Sequence, residues 1–183
     1  MRGDTGFPRA DVTDDFLRLR RRQMLARLAA WLHHAPDDVN VMLSLSEVLD
    51  ALGRRGERRL GLQTIRLDTI VGTVDSNHDF DRRFRPTSGR VRERWERLAL
   101  AQRRGEPIPP IEVYRVGDLH FVQDGHHRVS IAMAADAKTI DAYVTEVLTR
   151  LPAAGIRGRR DLPCKSHERT SPARALGRET GTD

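Results

Sequence analysis

From Asp14 to His34 the large apolar residues Leu17, Met24, Leu25, Leu28, Trp31 and Leu32 recur at helical spacing, behind a Thr13-Asp14-Asp15 start that can cap and charge a first turn. A helix is predicted there. Its arginines, Arg18, Arg20, Arg21, Arg22 and Arg27, are expected to form a solvated face or to touch a nucleic-acid backbone. Ser44 and Glu47 have the spacing of a capping box, and Val48, Leu49 and Leu52 give an apolar face before a stop at Gly53. A second helix is therefore expected over Leu45 to Leu52. Residues 35–40 between the two make a connection longer than the tight turn of a helix-turn-helix. Residues 53–61, with four arginines and three glycines, read as a basic linker.

Beyond the linker, Thr64 to Val71 alternates apolar and polar residues with the period of a half-buried strand. Asp75 to Ser88 is polar and holds Pro86, so an exposed loop is expected. Thr87 or Ser88 is expected to cap a helix running to about Arg104, with Val91, Trp95, Leu98 and Ala101 inward. Two strands, Ile111 to Val116 and Leu119 to Val122, flank Gly117-Asp118 as a hairpin, with His120 facing solvent. After Asp124-Gly125, Val129, Ala132 and Met133 mark a helix, and a last strand runs from Lys138 or Thr139 to Val147. Past Arg150 the chain turns to Arg, Gly, Pro, Ser and Thr, the composition of a disordered tail. The fold class expected is α+β, a small mixed β-sheet with packed helices preceded by an α-helical segment. Its divisions are a helical extension and basic linker over 1–60, the main domain over 61–148, and a basic tail over 149–183.

A length of 183 residues suits one such domain with extensions. No run approaches the roughly 18 apolar residues of a membrane span, and Met1 to Gly6 lacks the apolar core of a signal peptide, so a cytoplasmic protein without a membrane partner is expected. One cysteine, Cys164, forms no internal disulfide and no thiolate metal cage. The net charge of +6, carried almost wholly by arginine, favours phosphate-rich partners such as nucleic acid.

The chemistry concentrates at Asp124-Gly125-His126-His127-Arg128, where a strand hands over to a helix. Open amides at a helix start attract anions, and a glycine there admits phosphate close to the backbone. Arg128 adds a planar two-pronged donor, His126 and His127 can donate hydrogen bonds, move protons or bind metal, and Asp124 can hold magnesium or polarise a hydroxyl. Asp75, His78 and Asp79 are candidates to complete a metal or proton-transfer site. There is no Gly-Lys-Ser/Thr phosphate loop and no Gly-x-Gly-x-x-Gly fingerprint.

Pro107-Ile-Pro-Pro-Ile-Glu-Val113, a hairpin, and then Val122-Gln-Asp-Gly-His-His-Arg-Val-Ser-Ile-Ala132 resemble the core of the ParB/sulfiredoxin superfamily, over roughly Leu62 to Val147. In ParB proteins the box reads Gly-Glu-Arg-Arg and helps hold the triphosphate of CTP with magnesium. By that resemblance Gly125 and Arg128 contact phosphate, and Arg82, Arg83 and Arg85 stand where ParB proteins have a second phosphate-contact loop, with Ser88 beside them. In sulfiredoxin the box is Gly-Cys-His-Arg, and His126 occupies the place of its catalytic cysteine, so sulfiredoxin chemistry is not expected. The Asp-Gly-His-His-Arg wording is more similar to the free serine kinases of this fold, which implies phosphoryl transfer. No helix-turn-helix follows the domain as it does in partitioning proteins.

The leading expectation is a ParB-like protein that binds a nucleoside triphosphate, CTP or ATP, with magnesium. Binding would switch its association with DNA or with a second copy of itself. In that scheme Gly125, Arg128, Arg82, Arg83, Arg85 and Ser88 bind nucleotide, and Asp124, Asp79 and His78 hold the metal. The enzymatic alternative is a small-molecule kinase or phosphohydrolase with Asp124, His126 and His127 as catalytic groups. A third is a DNA-binding module that needs no nucleotide.

Overall fold

The structure is a computed structural model that describes residues 7–32, 41–75 and 79–170. It is a mixed α+β fold, as the sequence pattern predicts. Its strands are β1 (Leu43–Ser44), β2 (Arg54–Arg66), β3 (Ile70–Thr73), β4 (Ile111–Val116), β5 (Leu119–Asp124) and β6 (Thr139–Thr149). Its helices are α1 (Pro8–Leu32), α2 (Leu45–Leu52), α3 (Arg92–Arg103), α4 (His126–Ala134) and α5 (Leu162–Thr170). The strands form one sheet in the order β1-β3-β5-β4-β6-β2. The β4–β5 hairpin and the β2–β6 pair are antiparallel, and the remaining neighbours are parallel.

Neighbouring residues on a strand point to opposite faces, and both faces of this sheet are covered. Val122 on β5 and Ala142 and Val144 on β6 join Val12, Phe16, Trp95, Val129 and Ile131 in a core beneath α1, α3 and α4. Phe121 and Val147, one or three positions away, join Val48, Leu52, Ile156 and Leu162 in a second core beneath α2 and α5. Trp95 is fully buried, and its indole N–H donates to Ser130 Oγ at 3.0 Å, satisfying the one polar atom it carries and tying α3 to α4. His120, expected in solvent, is buried on β5 with its Nδ1 2.9 Å from Thr69 Oγ1.

Several expected elements need correction. Residues 53–61 are not a linker: Arg54 begins β2, which pairs with β6 along its whole length and forms an outer edge of the sheet. Its arginines sit where charge discourages further strand addition. The single strand expected over Thr64 to Val71 is two, because a 3-10 turn over Leu67–Thr69 ends β2 and starts β3, which lies on the far side of the sheet. The helix expected from Thr87 or Ser88 begins instead at Arg92, with Val91 as an N-cap that makes no side-chain bond. The segment after Arg150 is ordered through Thr170: Arg150 N–H and Leu151 N–H donate to the carbonyls of Gly53 and Leu52, α5 closes over α2, and Arg159 pairs with Glu47. Residues 33–40, with the inter-helix connection, and 171–183, the end of the expected tail, lie outside the described residues.

Helix α1 is present but turned over. Its buried residues are Asp11, Val12, Asp15 and Phe16, while the stripe that marked it in the sequence is exposed. Phe16 packs against Trp95 with ring centroids 5.6 Å apart. The two buried aspartates are tolerated because Arg103 on α3 reaches both, at 3.2 Å to Asp11 and 2.6 Å to Asp15.

Candidate functional site

β5 ends at Asp124, and Gly125 turns the chain into α4 with φ +107, a conformation side chains oppose. The position is tight as well: a Cβ there would stand 2.5 Å from Ile111 Cγ2. No side chain caps α4, and its first internal bond is Val129 N–H to the Gly125 carbonyl. The first-turn amides therefore have no acceptor within the helix, and the end of α4 carries the positive pole of its dipole.

His126 lies beside two phenylalanine rings. Phe80 stacks on it with centroids 6.3 Å apart, Phe84 lies at 6.1 Å, and its Nε2 is 2.8 Å from Thr73 Oγ1 at the end of β3. Thr73 also donates its hydroxyl proton to the Val122 carbonyl, at 3.2 Å. Having one proton, the hydroxyl then accepts from His126, which assigns the imidazole its Nε2–H tautomer and leaves Nδ1 as a lone-pair acceptor. Burial pushes the His126 pKa down, while the negative charges of Asp124, Asp75 and Asp79 draw it up. His127 meets Phe80 edge-on at 5.1 Å, and its buried Nε2 has no hydrogen-bond partner. Burial, and then the positive charge of Arg94, hold its pKa at about 4.

The arginines are largely committed. Arg128 donates through Nη1 to the carbonyls of Pro109, at 3.0 Å, and Pro110, and through Nη2 to Asp124. It anchors the proline segment ahead of β4 and orients Asp124, which is itself more than half exposed. Arg85 is nearly buried against Asp81, with Nη2 2.7 Å from Oδ2, and its Nη1 also donates to the Arg22 carbonyl on α1 at 3.1 Å. Arg82 donates to the Arg157 carbonyl. Arg83 is exposed, and its backbone N–H is held by Asp81 at 3.0 Å. The loop expected in solvent is thus a folded turn. Asp81 accepts from two of its amides, Phe80 bridges to Pro86, and Phe84 is buried at φ 53. Ser88 donates to Asp79 at 3.4 Å rather than capping a helix.

Asp124, Gly125, His126 and His127 thus sit together at the start of α4, where the charges of Asp75 and Asp79 reach His126, while Arg82, Arg85 and Arg128 are turned toward internal acceptors. His78 lies outside the described residues. Among the described residues no three His, Cys, Asp or Glu side chains are grouped to hold a metal ion. Thr73, Phe80, Phe84 and Arg94 were not singled out from the sequence. The Thr73–His126 contact depends on the parallel β3–β5 pairing, which leaves no local signal. A concavity of about 660 Å³ over β2, β4 and β6, lined by Arg59, Glu112, Tyr114, Gln123 and Tyr143, borders Asp124 but does not include residues 124–128.

The buried histidines set a pH dependence. His120 and His127 titrate at about 4 in the folded chain against an ordinary 6.5, and His126 is also lowered. The unfolded chain takes up these protons first, so the stability they contribute is present above 6.5 and is lost as pH falls toward 4. Urea midpoints at about pH 7.5 and about pH 5 should show lower stability at the acid value. His120→Gln and His127→Gln should each flatten the difference, and a midpoint independent of pH would contradict the assignment.

No protein-family model matches the chain, and no curated protein matches it. Among solved structures the chain is similar to sulfiredoxin from Arabidopsis thaliana, with TM-score 0.33 and 17% identity over 45% of this chain and 82% of that one. The likeness is one of fold and says nothing of what this chain binds or does.

Proposed function

We propose that the open end of α4 receives the phosphates of a nucleoside triphosphate together with magnesium. The observation that carries the reading is the convergence, at one uncapped helix start, of amides with no acceptor inside the helix, a glycine in the left-handed region and the negative charge of Asp124, Asp75 and Asp79 felt at His126. The carboxylates suit the ion. Magnesium takes hard oxygen ligands and usually keeps only one or two protein carboxylates beside phosphate and water, so a pre-formed cage is not required. Asp79 and Asp75 would hold it, and the ion would neutralise phosphate charge. Phosphate would contact the amides of His126 and His127 and the exposed Arg83 and Arg94 rather than Arg82, Arg85 or Arg128, and Arg128 acts as a positioning residue for Asp124.

The bond from Arg85 to the Arg22 carbonyl links the turn beside the site to α1. A ligand that shifts the turn would be felt at that helix, the step by which occupancy would alter what the protein associates with. The enzymatic reading draws on a separate observation. A neutral imidazole held by Thr73 can accept a proton from a hydroxyl, as a phosphotransferase acting on a small molecule needs.

Isothermal titration with CTP, ATP, ADP and GTP, with and without magnesium, tests the binding. Heat that requires magnesium is expected, weakened roughly tenfold, about 1.4 kcal/mol, by Asp79→Asn. No heat with any nucleotide, or an unchanged affinity in that variant, contradicts it. Mass spectrometry after incubation with nucleotide and free amino acids separates the two readings: a phosphorylated product supports the transferase, and binding without turnover supports the switch.

A further inference from the structure

Among the described residues, no helix is long and apolar enough to cross a membrane. A helix can also lie flat on a bilayer, and α1 has the face to do so. At 100° per residue its buried positions, Asp11, Val12, Asp15 and Phe16, fall on one side, together with the half-buried Leu19, Gln23, Ala26 and Ala30. Leu17, Met24, Leu28 and Trp31, flanked by Leu25 and Leu32, fall on the other. Each is at least 50% exposed, and Trp31 is 73% exposed. From Phe16 to Leu32 the helix carries no acid and five arginines: Arg18 and Arg22 border one edge of the stripe, Arg20 and Arg27 the other, and Arg21 lies within it. Of the acids nearer its start, Asp11 and Asp15 pair with Arg103, Asp15 also with Arg18 at 3.3 Å, and only Asp14 is exposed on the outer side.

We infer that this outward face of α1 docks on an anionic lipid surface, with Leu17, Met24, Leu28 and Trp31 entering the headgroup boundary and the arginines meeting lipid phosphates. The charge pattern selects that occupant. A second copy would bring five arginines against five, whereas a negative plane attracts both edges of the stripe at once. A nucleic-acid backbone would satisfy the arginines but would press the apolar stripe against phosphate. An exposed apolar stripe with cationic flanks and a tryptophan near one end presents to lipid the groups that a bilayer interface takes up. The body of the domain, bound to the opposite side of α1, stays in water.

The test uses the full chain without nucleotide, so it stands or falls apart from the phosphate-binding proposal. Vesicles of equal phosphatidylcholine and phosphatidylglycerol are compared with phosphatidylcholine alone, by co-sedimentation and by tryptophan emission. Of the two tryptophans only Trp31 is exposed, Trp95 being fully buried, so a shift reports α1. Expected are a blue shift and co-sedimentation on the anionic vesicles, about tenfold weaker binding on the zwitterionic ones, and weakening at about 0.5 M salt. Leu28→Glu and Arg21→Glu, both at exposed positions and both checked for unchanged circular dichroism, should each reduce binding about tenfold or more. The inference is overturned by no shift and no co-sedimentation, by equal binding to both vesicle types, or by binding that Leu28→Glu leaves intact. A dimer, or a DNA mobility shift, that Leu28→Glu abolishes without any vesicle binding would assign the face to that partner instead.

Discussion

Gly72→Ala is expected to destabilise the protein by about 3 kcal/mol or more, near the upper end of what overpacking costs. Gly72 on β3 pairs with Leu43 on β1, and a Cβ there would lie 2.0 Å from the Leu43 carbonyl oxygen, 2.8 Å from its carbon and 2.9 Å from Phe121 Cδ1. The first two are backbone atoms and cannot rotate away. β1 must move off the sheet, carrying α2 with it and opening the core that Leu43, Leu45, Val48 and Leu52 share with Phe121. Urea denaturation measures the loss. Gly56→Ala is the control: nothing lies within 4 Å of its added Cβ and its φ is not in the left-handed region, so a change within about 0.5 kcal/mol is expected. Equal effects of the two would refute the packing at β1.

The second large effect is expected at Asp81. Its carboxylate is buried, accepts the backbone N–H groups of Arg83 and Arg85 at 3.0 Å each, and pairs with a guanidinium that is only 13% exposed. Asp81→Ala leaves that cation and two amides without their acceptor, and breaking a buried pair from one side costs about 3–5 kcal/mol. The damage reaches the site. The same turn holds Phe84 at φ 53 through a 2.7 Å bond from its N–H to the Asp81 carbonyl, a conformation costing about 1–3 kcal/mol for an aromatic residue. Phe84 and Phe80 enclose His126. Asp81→Ala should therefore weaken nucleotide binding as well as lower the urea midpoint. Asp81→Asn, which keeps one oxygen for the amides, should cost less on both measures. A variant as stable as the parent would contradict the role assigned to Asp81.

What the sequence reveals about this fold divides along contact range. The β4–β5 hairpin, the turn at Gly125 and the start of α4 are set by residues adjacent in the chain, and alternation with a glycine turn is enough to find them. The first half of β2 has no such signal: it is arginine-rich and lies on an exposed edge, and its partner β6 lies far along the chain, from Arg54 with Thr149 to Arg66 with Thr139. α1 misleads for a different reason. Its exposed stripe is more apolar than its buried one, because two of the residues it buries are aspartates matched by an arginine on α3. At the site, the clustering of Asp124, Gly125, His126 and His127 follows from their adjacency. Whether an arginine is free to meet phosphate does not, since the carbonyls that engage Arg82, Arg85 and Arg128 come from residues 18 to 75 positions away.

The central claim is that the uncapped start of α4 is a phosphate site. It is tested most directly by following backbone amide resonances while a magnesium nucleotide is added. The account predicts that the amides of Gly125, His126 and His127 move first and furthest, with those of Asp79 and Thr73 following. Shifts confined to Arg59, Tyr114 and Tyr143 on β2, β4 and β6, or none at all at saturating nucleotide, would contradict it.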